Sequence, residues 1–304
     1  MSTTPKQGVI LAAGGGSRMG PLAAHWPKAL LPVANESLLA RHLQTMADLG
    51  VCEVFIVVGH LGHAIRDAVA AMDLPVVVHF IEQHEREGLA HAVAMLEGPV
   101  SGPFVLLLSD IYMEYGPLAP LRNRFQDGGA VLAVREEDDP GAVRRNFSVT
   151  SDDIGRVQRV VEKPVDITSM RKGCGLYLFS PTIFDAIQRT PRSPLRNEFE
   201  LTDAIQTLID DGAPVYDAPV VTWDVNVTTP EDLIRCNVHA LRAMGETTLT
   251  GPGCTVAPGA TLHETVLGEN VHVATSCHLQ RCVVLPGTTI ETPGDYRDRV
   301  LYTE

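Results

Sequence analysis

The chain has 304 residues, 45% of them hydrophobic and 5% aromatic, so aliphatic side chains must fill its core. Its 24 basic and 37 acidic residues give a formal net charge of −13, which repels phosphate backbones and argues against a nucleic-acid partner. The length suits one large α/β domain with a small appendage, or two modest domains.

The N-terminus, Met1 to Gln7, is polar and lacks the apolar stretch of a signal peptide. No apolar run approaches the roughly 20 residues that span a bilayer. The six cysteines form no C-x-x-C pair, so zinc-type spacing is absent, and even the nearest pair, Cys277 and Cys282, is expected to stay reduced. We therefore expect a cytoplasmic protein without a membrane partner.

Short apolar runs alternate with amphipathic stretches in the first part of the chain, a pattern typical of buried strands with helices packed on them. The predicted strands are 8–13, 54–58, 76–81 and 104–108, and the predicted helices are 37–49, 64–72 and 89–96. This alternation indicates a mostly parallel sheet covered on both faces. Ligands of such sheets bind at the carboxyl ends of the strands.

The middle of the chain, from about residue 130 to residue 237, contains further elements of both kinds. The predicted strands are 131–134, 157–161 and 176–179, and the predicted helices follow Ser180-Pro181 through Ile187 and cover 199–209. Another helix starts after Thr229, because a Thr cap, Pro at the first position and two acidic residues mark a helix N-terminus.

The last stretch, from about residue 251 to residue 290, carries aliphatic residues at intervals near five or six, with glycines between them. This spacing predicts one or two imperfect coils of a left-handed β-helix built on hexapeptide repeats. A β-hairpin tail is the alternative. The predicted domains are 1–245 and the tail 246–304, and the tail either supports a homo-oligomer or caps a monomer.

A glycine-rich loop directly follows the first predicted strand and carries the sharpest signal in the sequence. It contains Leu11, Ala12, Ala13, Gly14, Gly15, Gly16, Ser17 and Arg18. Glycines let backbone amides approach phosphate oxygens closely, and Arg18 and Lys28 could neutralise a triphosphate. The spacing matches neither a Walker A loop nor a dinucleotide fingerprint.

This loop, followed by Pro27-Lys28-Ala29-Leu30-Leu31-Pro32-Val33, resembles the family of sugar-1-phosphate nucleotidyltransferases. The thymidylyl- and uridylyltransferases that act on glucose 1-phosphate are the most similar members. The resemblance implies a Rossmann-like, mostly parallel mixed sheet flanked by helices, with a left-handed β-helix-like tail. It also implies Mg²⁺ as cofactor, and Arg18, Lys28 and Lys163 as catalytic residues.

Gln83 and Gly88 resemble the segment with which this family reads the base. A Gln amide can pair with the edge of a pyrimidine, and Gly lets the base lie against the backbone. A polar residue that merely ends a strand is the alternative for Gln83. For His91, packing on a helix is preferred to a catalytic role, because nothing pairs it with a nucleophile.

Three acidic or amide residues are candidates for binding the metal. Asp110 directly follows an apolar strand, where the family has a metal-binding Asp; a capping role is the alternative. Counting back from Pro230 puts Asn226 at the family's second metal position. Asp224, two residues earlier, is a second candidate at this position, and the choice stays open.

The resemblance implies sugar-binding roles for Asn146, Glu162, Gly175, Tyr177 and Glu198. Glu162 would bind sugar hydroxyls, and Lys163 would bind the sugar phosphate. An exposed Glu-Lys pair is common, and Glu198 and Glu200 could instead be first-turn acids of the next helix. Near Asn146 the sequence departs from the family by a Ser for a Gly and two extra arginines, so the acceptor could differ from glucose 1-phosphate.

The predicted reaction joins NMP from a nucleoside triphosphate, dTTP or UTP, to a sugar 1-phosphate and releases pyrophosphate. One alternative is a cytidylyltransferase, or another enzyme that uses a nucleoside triphosphate on a sugar-like phosphate. Another is a non-catalytic regulatory homologue, although the retained phosphate cations argue against it. An acyltransferase built on the β-helix is a third, against which the short tail argues.

Overall fold

The computed structural model describes residues 5–194 and 196–303. The first four residues of the polar N-terminus considered above lie outside this range, as do Leu195 and Glu304. The helices are α1 (Leu38–Asp48), α2 (Gly62–Ala70), α3 (Leu89–Ala94), α4 (Ala119–Asn123), α5 (Pro140–Arg145), α6 (Thr182–Arg189), α7 (Leu201–Asp210) and α8 (Pro230–Met244). Two further segments, Ser17–Ala24 and Lys28–Leu30, are 3-10 helical.

The strands are β1 (Gln7–Ala12), β2 (Pro32–Val33), β3 (Glu36–Ser37), β4 (Glu53–Val58), β5 (Val77–Glu82), β6 (Phe104–Leu108), β7 (Ile111–Tyr115), β8 (Ala130–Glu136), β9 (Phe147–Ser151), β10 (Val157–Glu162), β11 (Arg171–Phe179), β12 (Val215–Ala218), β13 (Val221–Asn226), β14 (Thr248–Thr250), β15 (Thr255–Val256), β16 (Thr261–His263), β17 (Thr265–Leu267), β18 (His272–Val273), β19 (His278–Val284), β20 (Thr289–Ile290) and β21 (Asp295–Leu301).

The chain divides into two compact units. The first unit consists of residues 1–14 and 42–224, and the second unit of residues 15–41 and 225–304. The boundary predicted at residue 245 stays a prediction. Helix α8 falls in the second unit together with the tail.

A mixed sheet forms the centre of the first unit, in the order β10-β9-β11-β6-β1-β4-β5, with β8 paired to β11 and β12 paired to β8. Strand β1 lies parallel to both β4 and β6, and β4 lies parallel to β5. Strand β11 runs antiparallel to β6 and β8. The predicted α/β class and its mixed sheet are confirmed.

Apolar side chains cover both faces of the central strands, as their unbroken hydrophobic runs predict. In β1, Val9 and Ile10 are fully buried, and β6 buries Phe104 against the rings of Phe179 and Phe184 at centroid distances of 5.8 and 5.7 Å. The core that results holds the ends of the parallel strands in place.

The carboxyl ends of four parallel strands lie at one edge of this sheet. The register pairs Ala12 with Val58, Val58 with Glu82, and Leu11 with Leu108. The residues that follow these strands, including Gln83, therefore share this edge, where the sequence places several candidate ligand-binding residues.

Each helix and strand predicted above for residues 8–209 is present, with one bound that differs clearly. Strand β11 begins at Arg171 instead of residue 176, because Gly173 and Gly175 interrupt its apolar run without ending the strand. An added Cβ on Gly173 would lie 1.8 Å from the ring of Phe147, so a larger residue could not occupy this position. Strands β7, β9, β12 and β13 and helices α4 and α5 escaped prediction because polar residues interrupt their apolar runs.

The tail in the second unit is a parallel coil with a 17-residue repeat. Thr248 pairs with Thr265, Val266 with Val283, and Val283 with Val300, always 17 positions along the chain. The same offset relates β15, β18 and β20, and also β16, β19 and β21. Since all of these pairs are parallel, the tail is β-helix-like and the hairpin alternative is wrong.

Helix α8 begins with the predicted cap. The Thr229 hydroxyl accepts a hydrogen bond from the Asp232 amide, and the Asp232 carboxylate accepts one from the Thr229 amide, which together form a capping box. Pro230 occupies the first turn, as expected. Within the second unit, α8 packs against β2 and against the tail strands β17, β19 and β21. In the described residues, no helix combines the length and apolarity needed to cross a membrane.

Candidate active site

The glycine-rich loop starts where β1 ends. Leu11 and Ala12 are the last strand residues, Ala13 is buried, and Gly14 is exposed. A Cβ on Gly59, which follows β4, would lie 3.0 Å from the carbonyl oxygen of Ala13, so the two strand ends approach each other closely. The first unit thus presents the beginning of the loop at the ligand-binding edge of its sheet.

The rest of the loop belongs to the second unit. Gly16 has a left-handed conformation with φ 65°, and the side-chain stem of Lys28 lies against it, 3.3 Å from an ideal Cβ at that position. Ser17 and Arg18 are exposed at the start of the first 3-10 segment. Gly16 and the Lys28 stem are therefore neighbours within this unit, and a phosphate-binding role for Gly15, Gly16 and Lys28 stays a prediction.

Gln83 follows β5 at the same edge and is buried. Its amide nitrogen lies 3.2 Å from Nδ1 of His91 in α3, and Nε2 of His91 faces Glu87 at 3.7 Å. Helix packing, rather than catalysis, was expected for His91. The contact shows in addition that His91 orients the Gln83 amide.

Gly88 has a structural explanation as well as the predicted one. Its φ is 116°, and an added Cβ would lie 2.4 Å from the carbonyl oxygen of Phe199 and 2.7 Å from its nitrogen. Two backbone hydrogen bonds, Phe199 N to Glu87 O at 2.7 Å and Ala90 N to Phe199 O at 2.9 Å, clamp the segments together. Contact with a base stays a prediction.

Asp110 lies in the turn between β6 and β7 and is half-buried. Ser109 before it donates its backbone N–H to the carbonyl of Leu11 at 3.2 Å, which ties this turn to the end of β1. The carboxylate therefore lies at the sheet edge, as its position after an apolar strand predicts.

Asp224 has a different environment. Its side chain is fully buried, and both carboxylate oxygens accept hydrogen bonds from Nζ of Lys172 at 2.7 and 2.8 Å. Nε of Arg135 lies 2.7 Å from Oδ1, and Glu137 pairs with both cations. These four residues form a buried ion cluster that joins β8, β11 and β13, which gives Asp224 a structural partner set.

Asn226, at the end of β13, has a buried Oδ1 atom for which the described residues provide no hydrogen-bond partner. A buried polar oxygen without a hydrogen-bond partner lowers the stability of the fold, unless a bound ligand interacts with that oxygen. Amide oxygens are among the ligands of hard cations. The atom therefore fits a metal ligand, and it favours Asn226 over Asp224 in the choice that the sequence leaves open. Within the described residues, His, Cys, Asp and Glu alone form no cluster of three that could hold a metal.

A second group of charged residues surrounds Glu162, the last residue of β10. Glu162 Oε1 lies 3.5 Å from Nζ of Lys163 and 3.8 Å from the guanidinium of Arg196, and Thr202 donates to Oε2 at 3.3 Å. Burial raises the pKa of Glu162 above its ordinary value, while Lys163 and Arg196 oppose this shift. Lys163 itself has φ 42°, an uncommon conformation for a residue with a side chain.

Arg196 connects three carboxylates of this group. It pairs with Glu198 at 3.1 Å and with the buried Glu200 at 2.9 Å, in addition to Glu162. Glu198 and Glu200 both precede α7 (Leu201–Asp210). Neither is therefore a first-turn acid of this helix, which was the alternative considered above. Sequence reasoning missed Arg196 and Thr202, because single polar residues in a loop and at a helix start carry no periodic signal.

The remaining predicted sugar-site residues, Tyr177, Asn146 and Gly175, also belong to the first unit. Tyr177 is buried beside Phe147 and Phe179. Burial raises the pKa of its hydroxyl, and the charge of Glu162 adds a smaller increase. The Asn146 side chain donates to the carbonyl of Ala142 at 2.9 Å, and its own carbonyl accepts from Lys163 N at 2.7 Å. Gly175 has φ 72°, and an added Cβ would lie 2.5 Å from Ile111.

A glycine-rich loop that begins where the first strand of an α/β sheet ends, with an acidic turn and a group of lysine and acidic residues in the unit that contains this strand, is typical of enzymes that bind nucleotides. The family profile of nucleotidyl transferases matches residues 7–242, and the chain belongs to this family. The predicted family is thereby confirmed, and with it the class of enzyme.

Known relatives extend this result. The chain is 34% identical over 237 residues to a low-salt glycan biosynthesis nucleotidyltransferase of Haloferax volcanii, a match that covers 76% of this chain and 65% of that protein. It is 32% identical over 228 residues to a UTP–glucose-1-phosphate uridylyltransferase of the same organism, covering 74% of this chain and 93% of that protein. The chain thus spans less than two thirds of the length of the first of these relatives.

A solved structure of a UDP-glucose pyrophosphorylase in complex with UDP-glucose has a similar fold. The TM-score is 0.68 at 20% sequence identity, and the superposition covers 79% of this chain and 99% of that one. At this level of identity the likeness concerns the fold alone.

Proposed function

We propose that this protein transfers a nucleoside monophosphate from dTTP or UTP to a sugar 1-phosphate, with release of pyrophosphate. The observation that carries the proposal is the common sheet edge of the first unit. The loop start at Ala13 and Gly14, the base-reading candidate Gln83 and the acidic residue Asp110 all follow parallel strands there. Membership of the nucleotidyl transferase family and the names of the relatives support the same activity.

In the proposed reaction, an oxygen of the sugar 1-phosphate attacks the α-phosphorus in line. A new P–O bond forms, the bond to the bridging oxygen breaks, and pyrophosphate leaves with the electron pair. Because the attacking phosphate is already an anion at neutral pH, no general base is needed. Positioning and charge neutralisation supply the catalysis, with Arg18 on the pyrophosphate and Lys28 and Lys163 on the other phosphates.

Sugar nucleotidyltransferases in general depend on a divalent metal, and we propose Mg²⁺ here. Asp110 and Asn226 would hold it. Asp110 follows β6 at the carboxyl-terminal edge of the sheet, and the buried Oδ1 of Asn226 has no hydrogen-bond partner among the described residues. When bound, such a cation neutralises phosphate charge.

The sugar would bind at the group around Glu162. Carboxylates accept hydrogen bonds from sugar hydroxyls, and Lys163 is held by its backbone hydrogen bond to Asn146 beside them. Backbone strain at Lys163 is maintained by its surroundings, which is common at functional sites. Glu198, Tyr177 and Gly175 complete the proposed sugar side.

Pyrophosphate release tests the proposal directly. Purified protein with Mg²⁺ is given UTP, dTTP, CTP, ATP and GTP in turn, each with a panel of sugar 1-phosphates. Release with UTP or dTTP is expected. Release with CTP alone would support the cytidylyltransferase alternative, and release with none would support a non-catalytic homologue.

Two variants test the residue roles. Arg18→Ala and Asp110→Asn should each lower kcat by about 100-fold or more, on the scale of lost electrostatic contacts to a reacting phosphate. Arg159→Ala, an exposed arginine on β10, serves as the control and should retain the wild-type rate. Near-normal rates in both test variants would contradict these roles.

We further propose that the protein forms a homo-oligomer through its tail and works in the cytoplasm. Among the described residues, β20 pairs only with β18 and β21 only with β19, so the last rung of the coil presents an open edge. The six cysteines are free, which suits a reducing compartment. Light scattering on a sizing column tests the first point, and a monomer mass would contradict it.

A further inference from the structure

The hairpin that follows Lys28 is short and needs support from outside. Strands β2 and β3 pair at only two positions, Pro32 with Ser37 and Val33 with Glu36. The two turn residues, Ala34 and Asn35, both have left-handed φ values of 49° and 64°. A two-stranded hairpin of this size is not stable by itself in water, so its contacts decide its conformation.

Two asparagines make the contacts that hold the hairpin, one in α8 and one in the hairpin turn itself. Asn237 of α8 is 1% exposed; its Oδ1 accepts from Ala34 N at 2.9 Å, and its Nδ2 donates to the carbonyls of Pro32 and Leu233, each at 3.0 Å. Asn35 donates its Nδ2 to the carbonyl of Leu267 at 2.9 Å. Leu267 is the fully buried last residue of β17, in the second rung of the tail.

A short, well-packed path leads from this hairpin to the glycine-rich loop. Leu31 and Val33 are fully buried, and the Leu31 amide donates to the carbonyl of Lys28 at 3.1 Å. The stem of Lys28 in turn lies against Gly16. Contacts thus run without interruption from the tail through the hairpin and Lys28 to the loop.

We propose that Asn35 and Asn237 are positioning residues for the nucleotide-binding loop, and that the tail, through Leu267, is part of the device that holds Lys28 in place. The inference rests on the proposed function, in which Lys28 binds the triphosphate. It assigns the β-helix-like tail a role in nucleotide affinity, although the tail supplies no group that touches the reacting atoms.

The test uses the full chain with Asn35 replaced. Asn35→Gly keeps the left-handed turn and removes the hydrogen bond to Leu267, and Asn35→Asp keeps the turn but cannot donate to a carbonyl. We expect KM for the nucleoside triphosphate to rise about tenfold in Asn35→Gly, the scale of one lost hydrogen bond, and further in Asn35→Asp. KM for the sugar 1-phosphate and kcat should change less than about twofold.

Arg281→Gln is the matched control, because it removes an ion pair to Asp298 between neighbouring coils of the tail without touching the hairpin. It should leave both KM values unchanged. A second readout is hydrogen exchange of the amides of residues 15–33, which requires no activity. Exchange should be faster in both Asn35 variants than in the wild type and in Arg281→Gln.

The outcomes separate the inference from the proposed function. If the wild type releases no pyrophosphate with any triphosphate, the proposed function fails, and the exchange experiment alone decides whether the tail holds the loop. If the wild type is active but both Asn35 variants match it in KM and exchange, the positioning role is wrong. A lower kcat and Tm at unchanged KM would also overturn it, since that pattern reports only general destabilisation.

Discussion

At the scale of single residues, the sugar side of the proposed site places charged groups where burial opposes their charge. Glu162 is 24% exposed on its side chain and has a raised pKa, mainly because of burial. The folded state therefore holds a proton on Glu162 at pH values where the unfolded chain has released it. The contribution of this residue to stability falls as the pH rises from the ordinary value of 4.5 through the raised pKa.

This shift predicts a pH-dependent effect of Glu162→Gln. The variant removes the titrating group, so its Tm minus that of the wild type should become more positive as the pH rises from the ordinary value of 4.5 through the raised pKa. Thermal unfolding at several pH values measures the difference. Gln158→Ala, at an exposed uncharged residue of the same strand, is the control, and its difference from the wild type should stay constant with pH. A difference that stays constant or falls with pH would contradict the assignment.

At the scale of secondary-structure elements, close backbone contacts hold the site segments. The start of α3 lies against Phe199 because Gly88 has no Cβ. Gly88→Ala should therefore destabilise the protein by about 2 kcal/mol or more, because backbone atoms less than 3 Å away cannot move aside easily. Gly98→Ala is the matched control, since Gly98 has φ 100° but no atom within 4 Å of an added Cβ.

Urea unfolding measures both glycine variants. The Gly98 variant should lose only about 1 kcal/mol, from the left-handed backbone alone. Equal losses for the two variants would show that conformation rather than the Phe199 contact explains Gly88.

The buried ion cluster of Arg135, Glu137, Lys172 and Asp224 is a second feature at this scale. Lys172→Met would leave Asp224 fully buried with only Arg135 beside it, at an expected cost of about 3–5 kcal/mol. The double variant Lys172→Met with Asp224→Asn should recover part of this loss, because Arg135 and Glu137 still form a neutral pair. Urea unfolding measures the stability of both variants. A double variant less stable than Lys172→Met would contradict the role of Lys172 in neutralising Asp224.

At the scale of the whole molecule, the net charge of −13 makes the binding of a triphosphate depend on a few local cations. Ligand binding to the folded state raises the free energy of unfolding by about 2.7 kcal/mol at a ligand concentration 100 times Kd, and this raises Tm. We expect UTP and dTTP with Mg²⁺ to raise the Tm of the wild type more than ATP or GTP do. Equal shifts with all of these nucleotides would remove Gln83 as the base-reading residue.

Much of this molecule follows from local patterns in the sequence. Hydrophobic patterning located β1, β4 and β6, whose continuous apolar runs form buried strands, and also β5, which lies partly exposed at the edge of the sheet. The run of glycines indicated the loop after β1, and Thr229 followed by Pro230 indicated the start of α8. The ligand-binding edge follows from these elements, since the carboxyl ends of parallel strands must meet.

The tertiary structure alone decided which polar residues share partners. No local pattern predicts that Lys172 and Arg135 neutralise Asp224, or that Arg196 joins Glu162, because these residues are far apart in sequence and meet only after the strands pair. The 17-residue register of the tail was hidden for a related reason. Its aliphatic residues recur at uneven intervals near five or six, so that only the pairing of successive rungs reveals the repeat.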